Sequence, residues 1–367
     1  MQQMFDTLKK EEFEEIVYGY DKYSGLKSII AIHNTALGPA FGGTRMMPYF
    51  TEKEALEDVL LLAKAMTYKN AAAGINFGGG KAVIIGDPET EKTEDLLRAF
   101  GRLVEGLGGR FIAGVDIGTD ENDMVILQQE SNHVTALPIY YGGAGSTSGA
   151  TAYGLYQGIK SAAEEVFGDK QLKDKSVAIQ GVGHIGNSLA KYLVDEGAEV
   201  YVSDINEKAL NKLKKEIPVK TVDPEEIYDL DVDIFSPCAL GGILNDNTIP
   251  KLKCKLIAGS ANNQLKNPEK HCKMIEERGI VYIVDYILSA GGVINNSQQY
   301  NPHGYNKDAA YAQLNKIGEN VKKVLNIARK EKITAVEAAK LLAKRRIQNA
   351  IERKAWYLRE ECKHIKV

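Results

Sequence analysis

Ser176-Val177-Ala178-Ile179-Gln180-Gly181-Val182-Gly183-His184-Ile185-Gly186-Asn187 is the stretch on which the fold turns. Ser176 to Gln180 reads as a short apolar strand. Asn187 to Glu196 reads as a helix with Leu189, Ala190, Leu193 and Val194 on its apolar side. The G-x-G-x-x-G between them follows a strand and opens a helix, the setting that gives this common pattern its meaning. The first glycine, Gly181, allows the tight turn. The second, Gly183, lets a pyrophosphate approach the backbone, and the third, Gly186, lets helix and strand pack closely. The helix start adds free N–H groups and a positive dipole end. His184 and Ile185 fill the variable positions of this candidate cofactor turn. Asp204 closes the next strand, Glu199 to Ser203, with Ile205 after it. A carboxylate there accepts from ribose hydroxyls and repels a 2′-phosphate, which favours NAD over NADP. The plainer alternative is a structural glycine turn beside a capping Asp.

Outward from this point, strand and helix alternate. A helix is predicted around Lys208 to Ile217, with further strands at Val232 to Phe235, Leu256 to Ala258 and Val281 to Val284. This rhythm implies a doubly wound parallel sheet of Rossmann type. The half before it differs in style. An acidic helix pattern opens it, and an apolar strand follows at Lys27 to Ile32. Leu37 to Arg45 reads as a Gly/Pro-rich loop. Thr51 with Glu54 suggests a capping box for a helix to about Met66. A second glycine-rich segment, Gly74 to Lys81, leads into a strand at Ala82 to Ile85. The expectation is an α/β chain of two domains with a cleft between. Residues 1–135 form a substrate and oligomerisation domain, residues 136–334 bind the dinucleotide, and 335–367 fold back on the first domain.

The formal net charge is −3, so no basic excess exists to hold a phosphate backbone, and nucleic acid is not an expected partner. No apolar run approaches the roughly 20 residues that span a bilayer. The opening segment lacks a basic region followed by an apolar stretch, so no secretory leader is expected and the location is read as cytoplasmic. Cys238, Cys254, Cys272 and Cys362 form no C-x-x-C pair, and the adjacent His271 and Cys272 do not have zinc spacing. No metal site is expected.

Two lysines stand in unusual surroundings. Lys69 precedes Asn70-Ala71-Ala72-Ala73-Gly74. Lys81 lies between Gly78-Gly79-Gly80 and Ala82-Val83-Ile84-Ile85. Lysines are normally solvated. One buried among apolar residues, near a second cation, holds its proton less tightly and can serve as a general base. Two surface lysines with snorkelling side chains are the plainer reading. Asp116, in Gly114-Val115-Asp116-Ile117-Gly118-Thr119, reads as a helix N-cap or as a proton relay, the cap being commoner from local sequence.

The chain resembles the Glu/Leu/Phe/Val dehydrogenase family over nearly its whole length. The resemblance is carried by Gly38-Pro39-Ala40-Phe41-Gly42-Gly43-Thr44-Arg45, Met66 to Gly74, Gly78 to Lys81, and Asp116 with Gly118-Thr119. Later in the chain it continues through Thr151 to Gly154, Pro237-Cys238-Ala239-Leu240, Gly259 to Gln264 and Ala290-Gly291-Gly292. It implies NAD-dependent oxidative deamination of an L-amino acid, branched-chain above others, to the 2-oxo acid and ammonium, and the reverse. It further implies that Lys69 binds the substrate carboxylate beside backbone N–H groups of Gly42 and Gly43. By the same resemblance Lys81 is the general base, Asp116 shares protons with it, and Lys69 depresses the Lys81 pKa. Phe41, Met66, Gly114, Asn262, Val293 and Asn296 fall at the substrate. Thr151, Cys238, Ala239 and Asn262 join Gly181, Gly183, His184, Ile185, Gly186, Asp204 and Ile205 at the cofactor. Closed homo-oligomers, octamer or dimer, are implied as well, with apolar tail surface at Ala339 to Leu342 and Trp356 to Leu358.

Several positions depart from the branched-chain pattern of the family. Val115 stands where Glu is usual, Asn296 where an apolar residue is usual, Phe41 where a Leu-type residue is usual and Gly114 where Ala is usual. Ser289 opens the usual Asn-Ala-Gly-Gly, and Ala144-Gly145-Ser146-Thr147-Ser148-Gly149 replaces a Pro-containing loop. These changes motivate an aromatic or polar amino acid as the alternative substrate. A catalytically silent NAD-binding regulator is the rival of a different class, and the retained Lys69, Lys81 and Asp116 argue against it. A 2-hydroxy acid dehydrogenase shares such a fold, but no His here stands in the His/acid setting that chemistry uses.

Overall fold

The computed structural model describes residues 4–356. Two units divide them. One takes 4–146, 296–307 and 343–356, and the other takes 147–295 and 308–342. Residues 136–146 and 296–307 therefore go with the first unit, and the tail joins it from 343, not from 335. Hydrogen bonds explain the first shift. Thr135 Oγ1 donates to Asn296 O at 3.2 Å, Tyr300 Oη donates to Val134 O at 3.2 Å, and Gly145 N closes back on Leu137 O at 3.1 Å. Tyr357, Leu358, Cys362 and His364 lie outside the described residues. Ala339 is buried, and Leu341 and Leu342 are half-buried.

The first unit is built on a mixed sheet of β1 (Glu15–Asp21), β2 (Leu26–Asn34), β3 (Ala40–Met47), β4 (Gly78–Ile85) and β5 (Phe111–Val115), in the order β1-β2-β4-β3-β5. β2 runs antiparallel to β1 and β4, while β3 runs parallel to β4 and β5. Alternation decides which side chain meets which layer. Leu26, Ile30, Ile32, Ala82 and Ile84 face the helices Glu94–Gly106 and Glu121–Gln128, in a core with Phe100, Val104, Met124 and Leu127. Ile29, Ala31 and Val83 face the helix Glu52–Ala73, meeting Ala55, Val59 and Ala63. Each fully buried Leu, Ile or Phe contributes about 1.5–3 kcal/mol. Lys81 is two residues before Val83, so it points toward the helix Glu52–Ala73.

Two expectations fail here for physical reasons. Leu37 to Arg45 is not a loop throughout, since β3 begins at Ala40. Its glycines allow strands to approach closely: a Cβ on Gly42 would fall 1.8 Å from Gly80 O. The helix that starts after Thr51 does not end near Met66 but runs to Ala73, where Gly74 closes it in the left-handed region at φ 79°. Thr51 caps Glu54 N, while the Glu54 carboxylate accepts from Phe50 N and not from the cap itself.

The second unit carries an all-parallel sheet of β6 (Ser176–Gln180), β7 (Glu199–Ser203), β8 (Lys220–Thr221), β9 (Ile234–Pro237), β10 (Leu256–Ile257) and β11 (Val281–Tyr282). Its order is β11-β10-β9-β6-β7-β8. From β6 the chain steps outward to β7 and β8, then restarts on the other side with β9. The reversal lies between β6 and β9, and their carboxyl ends open there, where ligands of such sheets bind. β8 escaped the sequence reading because both of its residues are exposed and carry no apolar pattern.

Candidate functional site

Lys81 lies on the part of β4 that the glycine run brings against β3. Its side chain is only 6% exposed. Its Nζ lies 3.0 Å from Asp116 Oδ2. The same carboxylate oxygen accepts from Arg45 Nε at 2.8 Å. Gly43 makes room for this group: a Cβ there would stand 3.0 Å from Lys81 Nζ and 2.6 Å from Val115 O. Burial pushes the Lys81 ammonium down from its ordinary range. Asp116 pulls it back, the charge of Arg45 adds to the lowering, and the net direction is down. For Asp116, burial acts upward, but Lys81 and Arg45 together outweigh it and hold the carboxyl below the usual range. The result is an ionised carboxylate beside a loosely protonated amine, a pair able to pass a proton.

Asp116 is therefore not a helix cap, contrary to the local reading. The cap of the helix Glu121–Gln128 is Asp120, in a full capping box with Asp123. Asp116 instead ends β5 in a turn closed by its own N–H on Thr119 Oγ1 at 3.0 Å. Lys69 is the depressing cation expected from sequence; Arg45, given no role there, also supplies a charge of that sign.

The longer helix places Met66 and Lys69, both half-buried, on its last turns. Asn70 beside them is fully buried, and its Nδ2 donates to Phe41 O at 3.1 Å and to Gly78 O at 2.6 Å. That side chain ties the helix carrying Lys69 to β3 and to the start of β4. Sequence reading gave Asn70 no role, although an amide among alanines was a signal. The β3–β4 register passes from Phe41↔Gly79 to Thr44↔Ala82, so Gly42 and Gly43 have no ladder partner on β4 and pair only with Ala113 and Gly114. Behind Gly114, Thr135 lies 3.1 Å from where a Cβ would sit, and Thr135 in turn holds Asn296. Asn296 is 6% exposed, and its Oδ1 has no hydrogen-bond partner among the described residues. Phe41 packs on Phe77, and Phe77 on Tyr300, with ring centroids 5.1 and 5.8 Å apart.

In the second unit, Gly181 turns at φ 94°, and its N–H donates to Ser203 O at 2.7 Å. Gly183 caps the helix His184–Asp195 with no side chain of its own, and the space around its Cβ position is open. A Cβ on Gly186 would sit 1.9 Å from Gly181 O. These features fit a dinucleotide pyrophosphate. Asp204 does something not read from sequence: its Oδ2 accepts from Val182 N at 2.7 Å, and its Oδ1 accepts from Asn206 N at 2.8 Å. Ile205 beside it is 89% exposed. Across the strand reversal, Cys238 N donates to Gln180 O at 2.7 Å, Ala239 is exposed, and burial pushes the Cys238 thiol up. Thr151 is buried on the helix Thr147–Phe167, with Oγ1 3.3 Å from the Cβ position of Gly292. Asn262 is exposed and Val293 half-buried. Among the described residues no His, Cys, Asp and Glu are grouped to hold a metal.

Two family models match the chain. One, described as Glu/Leu/Phe/Val dehydrogenase, dimerisation domain, covers residues 15–133. The other, glutamate/leucine/phenylalanine/valine dehydrogenase, covers 142–206 and 202–355. The chain belongs to the Glu/Leu/Phe/Val dehydrogenase family. Among family relatives, leucine dehydrogenase of Geobacillus stearothermophilus is 50% identical over 346 residues, 94% of each chain. Phenylalanine dehydrogenase of Lysinibacillus sphaericus is 46% identical, covering 94% of this chain and 91% of its own. The crystal structure of L-tryptophan dehydrogenase from Nostoc punctiforme superposes with a TM-score of 0.84 at 42% identity, covering 95% of this chain and 99% of that one. As a member of the Glu/Leu/Phe/Val dehydrogenases, this chain is an amino acid dehydrogenase, an oxidoreductase that works with a nicotinamide cofactor.

Proposed function

We propose that the chain oxidatively deaminates a branched-chain L-amino acid, leucine foremost, to its 2-oxo acid and ammonium with NAD, and catalyses the reverse amination. The observation that carries this reading is the buried Lys81 held 3.0 Å from Asp116 Oδ2. The 50% identity to a leucine dehydrogenase supports the substrate class. Bound NAD supplies the hydride acceptor for the substrate Cα. Gly181, Gly183 and Gly186, with the start of the helix His184–Asp195, hold its pyrophosphate, while Asp204 and Ile205 meet the adenosine end. Thr151, Cys238, Ala239 and Asn262 complete the cofactor side.

Lys69 pairs with the substrate carboxylate, helped by N–H groups of Gly42 and Gly43, whose backbone has no ladder partner on β4. Met66 and Val293 contact the substrate, as do Phe41 and Gly114. Asp116 takes a proton from the substrate amine as the imine forms, neutral Lys81 takes one from the water that attacks the imine carbon, and Asp116 returns its proton to the leaving amine. Both lysines thus have work that matches their surroundings, a charged clamp and a weakly held proton. The reaction belongs in the cytoplasm, where Cys238, Cys254 and Cys272 stay reduced. The enzyme assembles as a closed homo-oligomer, an octamer or a dimer.

A second reading has one observation in its favour. The unpaired, buried Oδ1 of Asn296 is a costly group. A donor on the substrate side chain recovers that cost, which favours an amino acid with a polar or N–H-bearing side chain.

The test is purified protein with NAD and each L-amino acid at mildly alkaline pH, following NADH by absorbance beside Lys81→Ala. Turnover of leucine, valine or isoleucine that vanishes in the variant is expected. Turnover confined to polar or aromatic amino acids selects the second reading. No turnover on any amino acid, with NAD still bound, overturns both.

A further inference from the structure

Lys81 and Asp116 account for the proposed proton transfers, but a third element reaches the pair. Arg45, on β3, has two arms in use. Its Nε donates to Asp116 Oδ2 at 2.8 Å, and its Nη1 donates to Asp58 Oδ2 at 2.9 Å. Asp58 lies on the helix Glu52–Ala73, and the same Oδ2 accepts from Tyr49 Oη at 2.7 Å. The guanidinium side chain is 16% exposed. A planar fork held at two ends has little freedom to turn.

We propose that Arg45, anchored by Asp58 and Tyr49, is a positioning residue that fixes the rotation of the Asp116 carboxylate and sets how readily Lys81 gives up its proton. This rests on the reading of Lys81 as the base. Arg45 and Lys81 both take Oδ2 of Asp116, which leaves Oδ1 without a hydrogen-bond partner among the described residues. That oxygen is the one available to a substrate amine. Without Arg45 the carboxylate is held by Lys81 alone and is free to rotate about its bond to Cβ.

The titratable groups facing Lys81 come from two elements and two turns. Arg45 stands on β3, Tyr49 in the turn after it, Asp58 on the packed helix, and Asp116 in the turn after β5; Lys69 is a further cation on that helix. Arg45 acts to lower the Lys81 pKa, and Asp58 acts to raise it. Removing the cation lets Lys81 keep its proton to higher pH. Removing the Asp58 charge does the opposite. A role in structure alone gives no reason for shifts of opposite sign.

The experiment is the pH profile of kcat/KM for the full-length enzyme on its best amino acid. Wild type, Arg45→Met, Arg45→Lys and Asp58→Asn are compared, each checked for NAD binding and thermal midpoint. Arg45→Met is expected to move the acid limb up by about one unit and to lower kcat at neutral pH about tenfold. Asp58→Asn, the milder variant, is expected to move the limb down. Arg45→Lys is expected to restore the limb but not kcat, because an ammonium keeps the charge and loses the fork. Shifts of the same sign in Arg45→Met and Asp58→Asn, or lowered activity with an unmoved limb, overturn the proposal. Wild-type turnover that is lost in Lys81→Ala upholds the underlying reading whichever way the Arg45 variants behave.

Discussion

Asp204→Ala tests two consequences of one side chain. In the proposed function its carboxylate meets the ribose and excludes a 2′-phosphate. In the structure it also holds the glycine turn, since Oδ2 accepts from Val182 N at 2.7 Å and Oδ1 from Asn206 N at 2.8 Å. Hydrogen bonds to a charged group contribute about 1.5–3 kcal/mol each. Val182 is buried while Asn206 is exposed; at the lower end of that range for each bond the pair is worth roughly 3 kcal/mol. For a domain of this size each kcal/mol moves the melting midpoint by about 2–4 °C, so a fall of roughly 6–12 °C is expected without cofactor. The kcat/KM ratio of NAD to NADP is expected to drop by about tenfold to a hundredfold, through a lower value with NAD and a higher one with NADP. The assay is steady-state turnover of the best amino acid with either cofactor, beside thermal melts with and without NAD. A melt that falls while the cofactor ratio stays fixed refutes the reasoning, for Asp204 then shapes the turn and does not read the ribose.

Other outcomes follow from the first unit. Lys81→Ala is expected to lose about 10²–10⁴ in kcat, the range for removing a positioned general base. In wild type, kcat/KM is expected to rise with pH, because the base works unprotonated. Since burial lowers the Lys81 pKa, that rise falls below the range of an ordinary lysine, which a pH profile from 6 to 11 checks. Asn296→Val removes a buried acceptor with no partner, so about 1–3 kcal/mol of added stability and a relative gain for leucine over polar substrates are expected in melts and a substrate panel. β1 is an edge strand whose Tyr18 and Tyr20 are 58% and 74% exposed. A native mass that is a multiple of 40.3 kDa is expected, falling in Tyr18→Glu/Tyr20→Glu when light scattering is measured.

What could be read in advance differed between the two units. In the second, β6, β7 and the glycine turn were legible because a parallel strand is a short apolar run and the turn has a fixed chemistry. Local sequence misled in the first unit, where function replaces side chains with glycine. β3 looked like a loop at Gly42-Gly43 because strand propensity resides in side chains that close approach forbids there. Asp116 looked like a cap because its real partners, Lys81 and Arg45, are 35 and 71 residues away along the chain, and no local pattern encodes that meeting. Lys69 and Lys81 stood out as oddities, but their roles came from resemblance. Arg45, Asn70 and Asp58 were visible as residues and invisible as a network.

Arg346, near the end of the described chain, donates to Asn70 O, Ala71 O and Ile75 O through one nitrogen and to Asn76 Oδ1 through another. Those acceptors close the helix that carries Lys69. The ribosome makes that helix early and makes Arg346 some 270 residues later. A nascent or truncated chain therefore holds an amino-terminal body whose lysine-bearing helix has a loose end. Its cofactor body is meanwhile complete by residue 342. Competence toward the substrate thus waits on Arg346, which follows the last residue of the cofactor body.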